Sequence, residues 1–297
     1  VAEGSVQGGL IGGLIGEMGF GPLIRDGFST ATLKGNPTLG GALIGDIDTG
    51  TARRLYFAGL DQTNSGLDGL VGQTNNATLA ELYWDSDVLS LTDNGTGTGL
   101  TTQQMITAST FDNWNLTSIW ALGETDQLTY PYLRNNAANV RPTVTLTLAR
   151  SNPINGASLV GLSPGMILLE FNIDVSLGDD FDDFRIELFR NNDFYTWSTL
   201  SVFGNTVAIS YDPKVSSEYT LELKPGAFVA SANNEVTHAF TEISFSTIPF
   251  ATGDGSSASP YQITNRTDLI NLSNQPDLWD KNFQLTQSIT FPTQDDR

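Results

Sequence analysis

A short glycine-bounded phrase occurs three times near the N-terminus and limits how this chain can fold. The copies are Gly12–Gly16 (GGLIG), Gly41–Gly45 (GALIG) and Asp68–Gly72 (DGLVG), with closing glycines 29 and then 27 residues apart. A period of this length is typical of repeat architectures, in which each copy stacks on its neighbour. No apolar period of 3.6 residues is sustained around the copies, so helical repeats are not expected. The repeat therefore predicts a β-solenoid (β-helix-like repeats).

Short β-type segments lie between the copies, among them Phe28–Leu33 and Leu55–Ala58. In such a solenoid Leu, Ile and Val point inward, and glycine permits tight corners or close stacking. The alternative is coincidence in a chain with 30 glycines, and the near-equal spacing argues against it. These phrases resemble the repeats of the GLUG-motif family of bacterial surface proteins. The resemblance implies an extracellular repeat protein.

The resemblance extends beyond the third copy. Leu82–Asp85 resembles a Tyr-Trp-Asp step of that family. Its usual closing segment is matched by Gly99, Thr101, Gln104, Met105, Phe111, Trp114, Trp120 and Tyr130–Arg134. An open solenoid end would expose unpaired strand edges and core, which bulky aromatic side chains can cover. The predicted solenoid therefore spans residues 1–134 and ends in an aromatic C-terminal cap.

After a polar linker at Asn135–Asn139 the pattern changes to short alternating strands, beginning with Thr143–Leu148. Other predicted strands are Met166–Phe171, Phe184–Phe189, Val207–Tyr211, Tyr219–Leu223 and Phe240–Phe245. Turn-forming Gly, Pro, Asn and Asp separate them. Six or seven short strands over residues 141–247 predict an immunoglobulin-like β-sandwich.

This second region resembles the bacterial Ig-like domain of S-layer and adhesin-type surface proteins. The matching residues are Asn155–Ser158, Leu168–Phe171, Glu218–Ala227 and Phe245–Thr247. Ser231–Asn234 departs from the family, which usually has an Asp-x-x-Gly-Asn turn there. The departure leaves the fold expectation unchanged and removes any inference about the turn.

Residues 250–297 resemble the lead-in of a further, incomplete solenoid of the GLUG type, so the fold class is all-β with the start of a second solenoid. The matching residues are Gly253–Gly255, Ser259–Ile263, Asp268, Leu269, Leu272 and Trp279–Thr286. One short helix is predicted at Asn265–Asn274, with Thr267 as its N-cap. The order of modules favours an excerpt from a longer modular protein.

Charge and composition exclude several classes of function. The formal net charge is −19, which repels phosphate backbones and makes nucleic acid an unsuitable partner. The chain has no cysteine, so disulfides and thiolate sites are absent, and a single histidine does not supply a zinc site. No apolar run is long enough to span a membrane, so no membrane insertion is expected in this segment.

The densest acidic cluster is Asp179, Asp180, Asp182 and Asp183. A solvated loop is the preferred interpretation, and a Ca²⁺ site formed by carboxylate oxygens is the alternative. Gly45–Gly50 and Gly253–Gly255 are interpreted as acidic turns. His238 is expected to be a surface strand residue with no catalytic partner. We therefore predict no catalytic, cofactor-binding or metal-binding residues and no resident cofactor, with Ca²⁺ kept as the one alternative.

Two features of the sequence bear on sugar binding and sugar cleavage. Exposed aromatic rings stack on sugars, but capping explains Trp84, Trp114, Trp120 and Tyr132 more simply. Hydrolysis by two carboxylates would need acidic residues in register on adjacent repeats, and a step of about 28 residues from Asp46 reaches the region of Asn75, not another acidic residue.

Asn-x-Ser/Thr sequences, the acceptor sequences for N-glycosylation, occur at Asn76, Asn94, Asn115, Asn265 and Asn271.

The predicted function is that of a non-catalytic extracellular or cell-surface module, structural or adhesive. Its expected partners are neighbouring copies of itself in a filament, joined through complementary solenoid halves, or host and environmental surface glycans or proteins. The alternative is a carbohydrate-binding or carbohydrate-cleaving β-helix protein.

Overall fold

The fold is all-β, as the sequence predicts. The computed structural model describes residues 1–64, 66–91, 94–123, 127–136, 140–161, 164–179, 181, 185–214, 217–234, 236–247, 250, 252–273 and 278–290. Two compact units are present, Val1–Thr145 and Leu146–Arg297.

The N-terminal unit consists of short strands and two small helical turns. Its strands are β1 Ser5–Gln7, β2 Leu10–Gly12, β3 Ile15–Met18, β4 Leu23–Ser29, β5 Thr32–Gly35, β6 Leu39–Gly41, β7 Ile44–Phe57, β8 Leu60–Thr63, β9 Val71–Asp85, β10 Thr98–Leu100, β11 Trp120–Ala121 and β12 Tyr132–Leu133. The helical turns are α1 Thr102–Met105 and a 3-10 turn at Ala108–Phe111. We refer to β1–β4 as repeat 1, β5–β7 as repeat 2 and β8–β9 as repeat 3.

The three repeats pair with one another in parallel. The ladders run β1-β5-β8, β2-β6 and β3-β7-β9, and β4 also pairs with β7. The glycine-bounded phrases lie directly over each other, because Leu14 N donates to the Leu43 carbonyl at 2.9 Å and Leu43 N donates to the Leu70 carbonyl at 2.8 Å. The spacing read from the sequence is therefore the spacing of the hydrogen-bonded register.

Alternate residues of the long strands face opposite sides, as the two-residue period of a strand requires. Leu55 and Phe57 of β7 belong to a buried cluster shared by the three repeats, together with Leu33, Leu43, Ile44, Leu70, Leu82 and Trp84. Tyr56, between them, is also fully buried but lies outside that cluster. Its ring stacks on Phe28 of repeat 1 with centroids 5.2 Å apart and planes 10° apart.

The glycine at the start of the second phrase is needed for space. A Cβ on Gly41 would lie 1.9 Å from the Ile44 carbonyl oxygen and 2.5 Å from Gly72 N. Its φ is not positive, so the requirement is close approach of backbone to backbone. The Gly-x-x-x-Gly spacing of the first two phrases is therefore a packing signal.

The closing segment, residues 98–134, contacts repeat 3 in two ways. β10 pairs in parallel with the end of β9, placing Thr98 opposite Tyr83 and Leu100 opposite Asp85. The aromatic rings later in the segment contact residues of all three repeats. Trp120 contacts Phe28 and Tyr56, and Trp114 contacts Tyr56 and Tyr83. Because these contacts reach all three repeats, the rings cover a column along the side of the repeats, whereas the predicted cap was expected at the open end.

The C-terminal unit begins with two larger sheets. Its strands are β13 Leu148–Asn152, β14 Ala157–Val160, β15 Met166–Phe171, β16 Val175–Leu177, β17 Ile186–Arg190, β18 Asp193–Tyr195, β19 Trp197–Phe203, β20 Thr206–Tyr211, β21 Glu218–Leu223, β22 Phe228–Ala230, β23 Thr241–Thr247, β24 Tyr261–Ile263 and β25 Phe283–Leu285. One sheet has the order β13-β15-β20-β19 and the other β14-β23-β21-β17-β18.

Aromatic contacts join the two sheets. Tyr211 of β20 lies 5.1 Å from Tyr219 of β21 and 6.1 Å from Phe245 of β23, measured between ring centroids. The Tyr219 hydroxyl accepts the backbone N–H of Lys214 at 2.8 Å, just before its strand. This bond fixes the chain where it passes from β20 of one sheet to β21 of the other.

The first predicted strand of this region is wrong in its position. Thr143 forms only an isolated bridge to Thr129, and the strand starts at Leu148. The backbone before that point bonds elsewhere, since Val144 N donates to the Leu128 carbonyl. Met166–Phe171 is confirmed as β15, and Phe184 of another predicted strand lies outside the described residues.

The last part of the chain forms a small cluster around one helix and one parallel strand pair. β24 pairs with β25, and Phe250, Tyr261, Ile263 and Leu278 form the buried core. Helix α2 spans Arg266–Ser273. Its N-cap is Asn265 and not the predicted Thr267, because Asn265 Oδ1 accepts the Asp268 N–H at 3.0 Å and Asp268 Oδ2 accepts the Asn265 N–H at 3.2 Å.

Candidate functional site

Three charged residues stand at equivalent corners of the three repeats. Asp26, Arg54 and Glu81 all have positive φ, at 56°, 53° and 56°. They fall between paired positions, because Arg25 lies opposite Arg53 and Arg53 opposite Ala80. Non-glycine residues rarely adopt this backbone conformation. A shared corner therefore creates a column with the order acid, base, acid, which we call the corner column.

Arg54 binds Asp26 through two parallel hydrogen bonds. Nε donates to Oδ1 at 2.6 Å and Nη2 to Oδ2 at 3.0 Å, and the two side chains are 16% and 13% exposed. Trp120 Nε1 also donates to Asp26 Oδ1, at 3.2 Å. The guanidinium of Arg54 holds the pKa of Asp26 below its usual value, and the Trp120 N–H adds to this against the opposing effect of burial. Asp26 thus connects two repeats and the closing segment.

Asp85 is the second buried acidic group of this unit. Its Oδ2 accepts the hydroxyls of Thr102 at 2.8 Å and Tyr130 at 2.7 Å, and its Oδ1 accepts the backbone N–H of Asp87 at 2.9 Å. Burial raises the pKa of Asp85, although these donors oppose the shift. Every bond runs to the closing segment or to the turn after β9. This arrangement holds structure together and presents no open position for a substrate.

A pair of acidic residues was missed by reasoning from the sequence. Asp46 lies opposite Gln73 in repeat 3, but on its other side it lies opposite Glu17 in repeat 1. Glu17 lies one repeat period before Asp46, so the sequence signal for this pair is the same period counted toward the N-terminus. Asp46 and Asp48 lie within strand β7, so the predicted acidic turn at Gly45–Gly50 is wrong. Asp48 accepts a hydrogen bond from Asn75 Nδ2 of the next repeat at 2.9 Å.

His238 is buried at 2% exposure, so its predicted surface position is wrong. Its ring lies between Phe171 and Phe228, with centroids 6.0 and 5.8 Å away. Nδ1 lies 2.5 Å from the Ala239 carbonyl oxygen, and the buried Nε2 has no hydrogen-bond partner among the described residues. Burial lowers the pKa of this histidine, against the opposing effect of the Ala239 and Lys224 carbonyls. The surrounding rings bury the imidazole and thereby disfavour its charged form.

A cleft of about 540 Å³ lies beside His238, lined by β13 and the start of β23. Its walls are largely apolar, with Leu146, Leu148, Ile154 and Ile243 prominent. Ser151, His238 and Glu242 are among its polar lining residues, and within the described residues neither ring nitrogen of His238 bonds to a side chain.

Metal binding has no arranged site in the described part of the chain, where no group of three or more His, Cys, Asp or Glu side chains could hold an ion. Of the predicted acidic cluster, Asp180, Asp182 and Asp183 lie outside the described residues. Asp254 is in an irregular segment between two glycines of positive φ, which fits the predicted turn.

The aromatic residues considered for sugar stacking are covered. Trp84, Trp114, Trp120 and Tyr132 are all buried. Trp114 and Trp120 contact other rings, Trp84 packs in the core cluster, and the Arg141 guanidinium carbon lies 5.2 Å from the centroid of the Tyr132 ring. These four side chains therefore present no stacking platform. Trp279 is the tryptophan that is most exposed among the described residues, at 64%.

Comparison with known proteins gives one weak relationship. No protein-family model matches the chain. The chain is similar to halomucin of Haloquadratum walsbyi, with 26% identity over 308 residues. The matched stretch covers 90% of this chain and 3% of halomucin, so the chain spans a small part of the curated relative that it matches.

The described helices are short. None of them has the length and apolar character needed to cross a bilayer.

Proposed function

We propose that this chain is a non-catalytic structural module of an extracellular or cell-surface protein. In this proposal residues 1–134 form a GLUG-type β-solenoid, residues 141–247 a bacterial Ig-like spacer, and residues 250–297 the lead-in of a further solenoid. The observation that carries the proposal is the direct stacking of the three glycine-bounded phrases. Parallel ladders of this kind give a stiff rod by repetition of one local interface.

The strand order of the second region supports the Ig-like part. A first sheet ordered β13-β15-β20-β19 and a second ordered β14-β23-β21-β17-β18 correspond to the A-B-E-D and A′-G-F-C-C′ sheets of an immunoglobulin-like sandwich. The Tyr219 hydroxyl bonded to the backbone at Lys214 corresponds to the tyrosine corner of such folds.

The extracellular location is supported by three observations. The chain has no cysteine and a net charge of −19, which favours solubility and disfavours nucleic acid. The similarity to halomucin is consistent with a place at the cell surface.

Antibody labelling tests the location. Antibody raised against the purified chain should label intact cells that carry the gene as strongly as permeabilised cells. Labelling that requires permeabilisation would contradict an extracellular role. Protease treatment of intact cells, followed by detection of the chain, supplies an independent measurement.

The proposal includes end-to-end association of neighbouring copies. Within the described residues, β1, β2 and β3 of repeat 1 pair only with strands of repeat 2, β4 pairs with β7 and, at Ser29, with Ala2, and β25 pairs only with β24. In this proposal the edges of β1–β3 and of β25 take up strands of a neighbouring copy by parallel strand addition. The alternative is that flanking sequence completes each solenoid within one chain. Negative-stain electron microscopy should show chains of particles whose length grows with concentration. Monodisperse particles at all concentrations would remove this part of the proposal.

One observation favours the alternative of carbohydrate cleavage. Glu17 and Asp46 lie in register on adjacent strands, and paired carboxylates are the groups that glycoside hydrolysis requires. Polysaccharide turnover by the wild type and by Glu17→Gln and Asp46→Asn variants separates the two functions. Turnover that both variants lose would favour the enzyme, and its absence across a glycan panel would favour the scaffold.

A further inference from the structure

We infer that Asn115 and Asn76 are N-glycosylation sites and that Asn94, in the same sequence context, is not. The inference rests on the proposed extracellular location. Five Asn-x-Ser/Thr sequences are present, and the structure separates them by whether the amide nitrogen Nδ2 is available. A glycan of this linkage is bulky and needs a surface asparagine. We add a second condition for a folded acceptor: Nδ2, which gives up one of its two protons, should not hold other groups by hydrogen bonds.

Asn115 meets both conditions. It is exposed and lies in the loop between the 3-10 turn and β11. Its side-chain oxygen accepts the backbone N–H groups of Thr117 at 3.1 Å and Ser118 at 2.9 Å. These bonds leave Nδ2 without a partner within the described residues and fix the threonine of the sequence beside the acceptor asparagine. The loop is held in turn by Ile119 N and Trp120 N, which donate to the Asn115 carbonyl.

Asn94 fails the second condition although it is exposed. Its Nδ2 donates to the Asp68 carbonyl at 2.6 Å and to the Val71 carbonyl at 3.1 Å. Both bonds hold the segment before β10 against repeat 3. A glycan on this nitrogen would replace one N–H and press a sugar into the backbone at Gly69, where a Cβ would already lie 2.4 Å from Asn94 Nδ2.

Asn265 is also engaged, since Nδ2 donates to Thr264 Oγ1 at 3.0 Å and Oδ1 caps helix α2. Asn76 is different, being exposed on β9 with no side-chain hydrogen bond to any described residue. β9 pairs with β7 along its length, but among the described residues its other side pairs only at Tyr83–Asp85, with β10. A glycan at Asn76 would therefore stand on a long edge strand and hinder unwanted strand addition.

The modification needs a glycosyl donor of the sugar phosphate or diphosphate class. Asn Nδ2 attacks the anomeric carbon, a C–N bond forms, and the bond from that carbon to the phosphate oxygen breaks. The phosphate leaves with the electron pair, and one amide proton passes to a base of the transferring enzyme. The chain acts only as acceptor.

Peptide mapping of the protein purified from cells that make it tests the inference. Cleavage before aspartate separates the three sequences into fragments Asp68–Trp84, Asp93–Phe111 and Asp112–Thr125. Mass spectrometry with fragmentation that preserves glycans should find sugar on the first and third fragments and none on the second. Thr117→Ala should reduce occupancy of the third fragment to background, whereas Thr117→Ser should retain it, and both keep the backbone N–H bond to Asn115.

Two results would overturn the inference: an unmodified Asp112–Thr125 fragment from cells whose surface the antibody labels, or glycan on Asp93–Phe111. The first leaves the proposed location intact. Labelling confined to permeabilised cells removes the location instead, whatever the map shows. Thr78→Ala and Thr78→Ser give the same comparison at Asn76.

Discussion

Arg54 donates two parallel hydrogen bonds, of 2.6 and 3.0 Å, to the carboxylate of Asp26, which lies one repeat earlier in the chain. Both residues occupy corners of positive φ, so the backbone itself aims the two side chains at each other. A planar guanidinium is the group best suited to such a pair. The first two residues of the corner column are therefore joined by their side chains, beside the backbone pairing of β4 with β7.

Replacing Arg54 by Met should lower the free energy of unfolding by about 1–3 kcal/mol, because it leaves a mostly buried carboxylate with fewer donors. Arg25→Met is the matched control, since Arg25 is 55% exposed and its Nε lies 3.8 Å from Asp26. Its cost should be below about 0.5 kcal/mol. Denaturant unfolding of both variants provides the measurement, and equal costs would contradict the role given to the pair.

Asp26 should make the protein sensitive to acid. Its folded pKa lies below the unfolded value because of Arg54, so its contribution is present above the unfolded pKa of about 3.9 and is lost as pH falls through the folded pKa. The difference in unfolding free energy between wild type and Asp26→Asn should therefore shrink as pH falls below about 4. A difference that stays constant between neutral and acidic pH would rule this out.

Asp85 should act in the opposite direction. Burial raises its folded pKa, so the folded state holds a proton where the unfolded state has lost it, and stability falls as pH rises from the unfolded to the folded pKa. Asp85→Asn should remove this slope at modest cost, since the Thr102 and Tyr130 hydroxyls can reorient. Asp85→Ala leaves buried hydroxyls unpaired and should cost about 2 kcal/mol or more. Unfolding curves at several pH values distinguish the two variants.

Gly41→Ala should be strongly destabilising, by about 3 kcal/mol or more, because the new Cβ meets backbone at 1.9 Å and the paired repeats must separate. Gly19→Ala is a control in the same unit, with nothing within 4 Å of its Cβ and no positive φ. Thermal unfolding should shift for the first variant and change little for the second. A tolerated Gly41→Ala would contradict the packing role of the phrase.

Tyr219→Phe should lower stability by about 1 kcal/mol, since the Lys214 N–H loses its acceptor beside a buried ring. Tyr195→Phe loses a bond to the Asp212 carbonyl at a more exposed position and should cost less. Both keep the ring contact between these two tyrosines. Denaturant unfolding of both variants isolates the contribution of the Tyr219 hydroxyl to the free energy of unfolding.

Much of the fold could be predicted from the sequence wherever a local period carried the information. The phrase spacing of 29 and 27 residues is the pairing register itself, as Ile15, Ile44 and Val71 lie opposite one another. The prediction of a strand at Met166–Phe171 is confirmed. Every second side chain of this strand is buried on one face, which is the alternation that the strand period requires. Thr143–Leu148 has the same alternation, but its backbone bonds to Leu128, so tertiary contacts override the pattern.

The candidate sites depended on contacts between residues far apart in the chain. Burial of His238 between Phe171 and Phe228 has no local signal, because neither ring is near it in sequence. The repeat period is consistent with the pairing of Asp26 with Arg54 and of Glu17 with Asp46. The strand register in the structure is needed to show which positions lie at the same corner or opposite each other on adjacent strands.

By itself, the sequence determined that the chain is built of β-strands and that its first part repeats, because strand period and glycine spacing are properties of neighbouring residues. The tertiary structure alone decided that the aromatic closing segment lies along the Phe28–Tyr56–Tyr83 column and which asparagines keep a free amide. Burial and hydrogen bonding at these positions are set by segments tens of residues away, and no local pattern records which segment arrives.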